Sequence, residues 1–167
     1  MKKLVVIAHN IRSAHNIGAL LRLCDGIGVE KVYLSGYSPY PKQMNDTRLP
    51  HEAKKTHAKI AKTALGSEKN TNIIRERNIE SLLRNLKESN YKIIGLEQRE
   101  NSTKLSSFKS NQKKIALLLG EEVAGINPLL LAICDQIVEI PMFGNKESHN
   151  VVEATAMALY HLRFIDT

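Results

Sequence analysis

The stretch "KLVVIAHNIRSAHNIGALLRLCDGIGVEKVYLS", residues 3–35, reads as a strand, a helix and a second strand in succession. Its first six residues are almost continuously apolar, as in a strand covered on both faces of a parallel sheet, and so is "KVYLS" at its end. Between them Ile17, Leu20, Leu21 and Cys24 recur at helical spacing over residues 14–26. Three further apolar runs, residues 91–96, 114–120 and 136–141, repeat the strand pattern. Helical periodicity separates them at residues 51–65, 79–89, 127–134 and 150–164, with Asn127 as N-cap and Pro128 in the first helical position of the third. This alternation predicts an α/β domain with a mostly parallel sheet and helices on both faces. Residues 36–50 and 97–113 are polar and read as loops, the first long enough to suggest a functional role.

The 167 residues suit a single domain, 1–167, with no composition shift to mark a boundary and no added N-terminal domain expected. No apolar run approaches the roughly 20 residues that a bilayer requires. The short apolar run after Lys2 and Lys3 is a buried first strand rather than a signal peptide, so a cytoplasmic protein is expected and no membrane partner. Cys24 and Cys134 lie apart among apolar neighbours and suggest neither disulfide nor redox chemistry. The six histidines show no metal-ligand spacing, and no metal is expected. Sequences of the P-loop, GxSxG and GxGxxG types are missing from the positions where they would carry function. A net charge of +7 favours a polyanionic partner, and residues 51–69 concentrate five lysines and two histidines on one helix.

Three clusters carry candidate chemistry. In "NIRSAHNIGALLR", residues 10–22, Asn16, Gly18 and Arg22 fall at the head of the first helix. A glycine there costs helix stability, so we expect something to approach its backbone closely, with Arg22 one turn further on the same face. In "LLLGEEVAGINP", residues 117–128, a strand ends at Gly120 and is followed by Glu121, Glu122 and Gly125, at the strand end where open α/β sheets bind ligands. In "EIPMFGNKESHNVVEATAMALY", residues 139–160, a polar loop leads to Ser148, His149 and Asn150 at the start of the last helix, with Ser148 expected as its N-cap.

In order and spacing these three motifs resemble those of the SpoU family of RNA ribose 2′-O-methyltransferases, within the SPOUT class. The similarity runs from about residue 8 to the end of the chain. It implies a SPOUT fold with a C-terminal deep trefoil knot, S-adenosylmethionine as cofactor, tRNA or rRNA as substrate, and a homodimer. It assigns candidate catalytic roles to Asn16, Arg22, Glu122, Ser148 and Asn150. It assigns cofactor binding to Leu96, Gly120, Glu122, Gly125, Ile140, Met142, Ser148 and His149. Two positions depart from the family pattern: His149 stands where an aliphatic residue is usual, and Val152 where a small polar one is. Arginine keeps its proton in proteins, so Arg22 is expected to stabilise developing alkoxide or clamp a phosphate. Two other functions fit the same sequence: a non-catalytic RNA-binding protein of this fold, and a methyltransferase acting on a base nitrogen.

Overall fold

A computed structural model describes residues 1–166; Thr167, the last residue of the expected domain, lies outside the described residues. Seven strands form one sheet: β1 (Lys3–His9), β2 (Lys31–Ser35), β3 (Ile73–Glu76), β4 (Lys92–Leu96), β5 (Thr103–Lys104), β6 (Lys114–Leu119) and β7 (Gln136–Glu139). Their order is β3-β2-β1-β6-β4-β7-β5, and every pairing is parallel. β6 therefore enters between β1 and β4, and β7 between β4 and β5, so the last two strands are inserted between strands that precede them in sequence. β1 and β6 form the buried centre of the sheet, and their apolar residues alternate between its faces. Leu4, Val6, Ala8, Ile115, Leu117 and Leu119 join one core, while Val5, Ile7, Ala116 and Leu118 join the other.

The first core is covered by α1 (Ala14–Ile27), α2 (Pro50–Ala64) and α6 (Val151–Tyr160). The second is covered by α4 (Ile79–Glu88) and α5 (Pro128–Ile133), while a one-turn helix, α3 (Ser67–Asn70), leads into β3. The expected helices on both faces are thus present. Asn127 caps α5, accepting from the Leu129 N–H at 2.9 Å, and Pro128 opens the helix as its sequence suggests. α1 ends where Gly28 adopts the left-handed conformation (φ +74°), which glycine reaches at no steric cost.

Several sequence expectations need correction. β3 and β5 were not anticipated: the loop expected over 97–113 contains β5 and a 3₁₀ turn (Leu105–Ser107). Ser148 does not cap the last helix; Asn150 does, its side chain accepting from the Val152 N–H at 2.8 Å. That helix also changes to a π turn (His161–Ile165) at its end. Gly18 has a structural reason to be glycine. A Cβ there would run into the Ile60 carbonyl and the Thr63 hydroxyl of α2, so the residue lets two helices pack closely instead of leaving a gap for a ligand.

Candidate functional site

At the carboxyl ends of β4, β6 and β7 the loops that follow enclose a cleft of about 460 Å³. Its apolar wall is Leu96, Leu119, Ile140, Val151 and Ala154; its polar rim includes Glu97, Gln98, Glu122, Ser148 and His149. Open parallel sheets bind ligands at this end, where strand carbonyls and the following turns leave backbone groups without ladder partners. Gly120 and Gly125 shape the floor. Glu121 and Gly125 exchange backbone hydrogen bonds at 3.1 and 2.9 Å, folding residues 121–125 back on the strand end. A Cβ on Gly120 would collide with the Gly125 backbone, and Gly125 is in the left-handed region (φ +70°). Glu97 pins this turn by accepting from the Ile126 N–H at 2.8 Å. The Gln98 amide ties β4's end to the Ile140 carbonyl at 3.3 Å.

Beside the cleft the three sequence motifs meet. The Asn16 amide donates to Glu122 at 3.2 Å, and the Asn150 amide reaches the Asn16 carbonyl oxygen at 3.5 Å. Glu122 also accepts from the Arg12 N–H at 3.2 Å, so its carboxylate lies against the amino end of α1, where the helix field favours an anion. Partial burial works to raise the Glu122 pKa, but the hydrogen bonds from its own backbone N–H, Arg12, Asn16 and Ser13 outweigh it. The carboxyl is held below its ordinary value and stays ionised. α1 is capped by Ser13, which accepts from the Asn16 N–H at 3.2 Å, leaving the Asn16 side chain free to reach the acid.

Of the residues expected in the site, Leu96, Gly120, Glu122, Gly125, Ile140, Ser148 and His149 line the cleft. Asn16 and Asn150 stand beside it through Glu122. Met142 is half-buried and does not line it. Arg22 lines a different hollow, a groove between α1 and α2 shared with Leu23, Ile27, Lys62 and Leu65. Gly18 and Arg22 do share a helix face, but that face turns to α2. Sequence reasoning missed Glu97 and Gln98, because the strand-end "GLEQ" offers no signal until the turn that it holds is known. Among the described residues no three His, Cys, Asp or Glu side chains gather to hold a metal, and no helix is long and apolar enough to cross a membrane. Burial pushes the Cys134 thiol up to about 11 and raises the buried Cys24 as well, which makes both poor nucleophiles.

A parallel sheet with a mixed apolar and acidic cleft at its strand ends defines an α/β domain whose cleft has the size of a small-molecule site. The chain belongs to the SpoU rRNA Methylase family, whose profile matches residues 3–160. It is 30% identical over 156 residues to the 23S rRNA (guanosine-2′-O-)-methyltransferase RlmB of Escherichia coli (strain K12), covering 93% of this chain and 58% of that protein. It is 30% identical over 159 residues to the tRNA (guanosine(18)-2′-O)-methyltransferase of Aquifex aeolicus (strain VF5), covering 95% of this chain and 68% of that protein. The AdoMet-bound rRNA methyltransferase of Sinorhizobium meliloti shares the fold with a TM-score of 0.80 at 22% identity, covering 96% of this chain and 56% of that one. The chain thus spans 58% of the length of the E. coli relative.

Proposed function

We propose that this chain transfers a methyl group from S-adenosylmethionine to a ribose 2′-hydroxyl in RNA, with tRNA and rRNA as the substrate classes. The observation that carries the reading is the meeting of the three motifs at one strand-end cleft, joined by the Asn150–Asn16–Glu122 hydrogen bonds. The cleft suits the donor. Its volume is that of a small-molecule site, its aliphatic wall accepts a flat adenine, and Glu97 and Glu122 supply negative charge towards a sulfonium. S-adenosylmethionine supplies an electrophilic methyl group there. Leu96, Gly120, Ile140, Ser148 and His149 would hold the donor, and Glu97 would keep the turn over it in place.

A ribose hydroxyl is a poor nucleophile until its proton leaves, so the protein must orient it and stabilise the alkoxide that forms. Asn16 and Asn150 offer amide groups beside the cleft for the ribose, and ionised Glu122 fixes the Asn16 amide. Arg22 lies in the α1–α2 groove, so it reaches a cleft only across an assembly of two copies. The exposed apolar face of α6 and the following turn, Met157, Tyr160, Phe164 and Ile165, supports such a homodimer. The late insertion of β6 and β7 is compatible with the trefoil knot that the resemblance implies. The exposed lysines of α2, Lys54, Lys55, Lys59 and Lys62, offer the phosphate contacts, and RNA substrates of these classes suit a cytoplasmic protein.

The test is the position of the methyl group. Wild-type protein incubated with isotope-labelled S-adenosylmethionine and unmodified tRNA or rRNA is expected to yield, after digestion to nucleosides, a label on ribose by mass spectrometry. Label on a base overturns the assignment. Donor binding without transfer to any RNA favours a non-catalytic RNA-binding role instead.

A further inference from the structure

Near the cleft stand two side chains with no part in the proposed transfer, Tyr37 and Arg12, the latter paired with Glu121 of the cleft lining. Asn10, at the end of β1, takes the left-handed conformation (φ 58°) unusual for a side-chain-bearing residue. Its side-chain oxygen accepts from the Tyr37 N–H at 3.2 Å and lies against Gly36, also left-handed (φ 64°), where a Cβ would not fit. Ser38 completes the brace: its hydroxyl accepts from the Ile11 N–H and donates to the Ala8 carbonyl, both at 2.9 Å. The loops after β1 and β2 are thereby locked together. On this rigid support stands Tyr37, 52% exposed, its backbone held by Asn10. Arg12 stands on the same support, its side chain 77% exposed and 3.5 Å from Glu121.

An ion pair so long and so exposed contributes little to stability and exchanges readily for a better anion. A half-exposed aromatic ring on a fixed backbone, beside a weakly paired and exposed guanidinium, is an arrangement by which proteins take a single-stranded nucleotide: the base stacks and the phosphate pairs with the cation. Glu121 adjoins Glu122, so this platform lies next to the Asn16–Glu122 pair where the ribose is placed.

We propose that Tyr37 and Arg12 form a nucleotide platform, the Tyr37 ring stacking an unpaired base next to the reacting ribose and Arg12 holding its phosphate. A base inside a helix has no free face for the ring. This rests on the methyltransferase reading but is measured separately from it.

The test uses the full chain and a fluorescein-labelled RNA hairpin with a randomised loop, beside a blunt duplex of the same stem, both read by anisotropy without methyl donor. The hairpin is expected to bind more tightly than the duplex. Tyr37→Leu is expected to weaken hairpin binding about tenfold with duplex binding unmoved. Tyr37→Phe, which keeps the ring, restores most of the loss. Arg12→Gln is expected to weaken binding and to reduce the salt slope by about one. Hairpin binding by Tyr37→Leu equal to wild type overturns the platform. So does Tyr37→Phe binding as weakly as Tyr37→Leu, since the hydroxyl and not the ring would then matter. An equal loss for hairpin and duplex overturns it as well. Melting curves of each variant confirm that it is folded. Ring-dependent hairpin binding by a protein that transfers no methyl group would keep the platform and remove the catalytic reading.

Discussion

The cleft at the ends of β4, β6 and β7 and the groove between α1 and α2 are two hollows of opposite character. The first is rimmed by Glu97, Glu121, Glu122 and Glu147 and floored by turns drawn from three loops. The second is lined by Arg22 and Lys62 over apolar Leu23, Ile27 and Leu65, between two helices packed through Gly18. An acidic cleft suits a cationic donor and a basic groove suits a polyanion, so a chain of net charge +7 still offers both reactants complementary ground. The difference also shows what holds each in place. The cleft depends on hydrogen bonds and left-handed glycine, whereas the groove depends on helix packing.

Substitutions can separate the two. Arg22→Ala is expected to lower methyl transfer about a hundredfold, by analogy with the loss of an oxyanion donor. Donor affinity, measured by calorimetric titration, is expected to be unchanged. If turnover survives, the groove has no part in the chemistry. Mixed dimers that pair an Arg22→Ala subunit with a Gly120→Val subunit are expected to regain transfer at one cleft, because the intact arginine and the intact cleft then lie on different chains.

Gly18→Ala acts on the packing alone. Its methyl group meets the Ile60 carbonyl and the Thr63 hydroxyl, and overpacking of this kind costs about 1–3 kcal/mol, read in chemical denaturation. Donor affinity is expected to be retained; its selective loss at unchanged stability would return Gly18 to the site. Asn16→Ala removes one hydrogen bond to a charged group, worth about 1.5–3 kcal/mol, and parts the first motif from the second. Transfer is expected to fall at least as far as stability does.

The smallest effect is on acid stability. Hydrogen bonds hold the folded Glu122 carboxyl below its ordinary value, so its contribution is complete above the ordinary carboxylate range and is lost as pH falls through the folded value. Melting temperature against pH is expected to decline less steeply on the acid side in Glu122→Gln than in wild type. An unaltered acid limb would show that those donors do not hold the charge.

Much of this was legible in the chain itself. β1, β2, β4, β6 and β7 carry largely apolar runs, as strands inside a parallel sheet do, and each was located to within two residues. β3 is a half-buried strand whose "IIRE" is half charged, and β5 has only two residues; neither leaves a periodic trace. The seven cleft residues came from the resemblance to the SpoU family, and the neighbouring parallel strands β4, β6 and β7 bring them to one cleft at their carboxyl ends. The close approach expected at Gly18 is present, but what approaches is another helix, which sequence alone does not name. Ile60 and Thr63 are brought against Gly18 only when α2 docks. Ser148 was expected as the cap of the last helix, but Asn150 two residues on is as good a cap by residue type and is the one that accepts from the helix. Tyr37 and Arg12 gave no motif; their setting depends on the Asn10 and Ser38 cross-brace between two loops.

The account stands on the cleft as the seat of the sulfonium donor, and calorimetric titration of S-adenosylmethionine into wild type and Gly120→Val examines it directly. A valine there must displace the Gly125 turn that closes the floor. Saturable binding at one donor per chain in the wild type, lost in a Gly120→Val protein that still melts cooperatively, is the predicted result. No heat with wild type, or undiminished affinity in the folded variant, would contradict it.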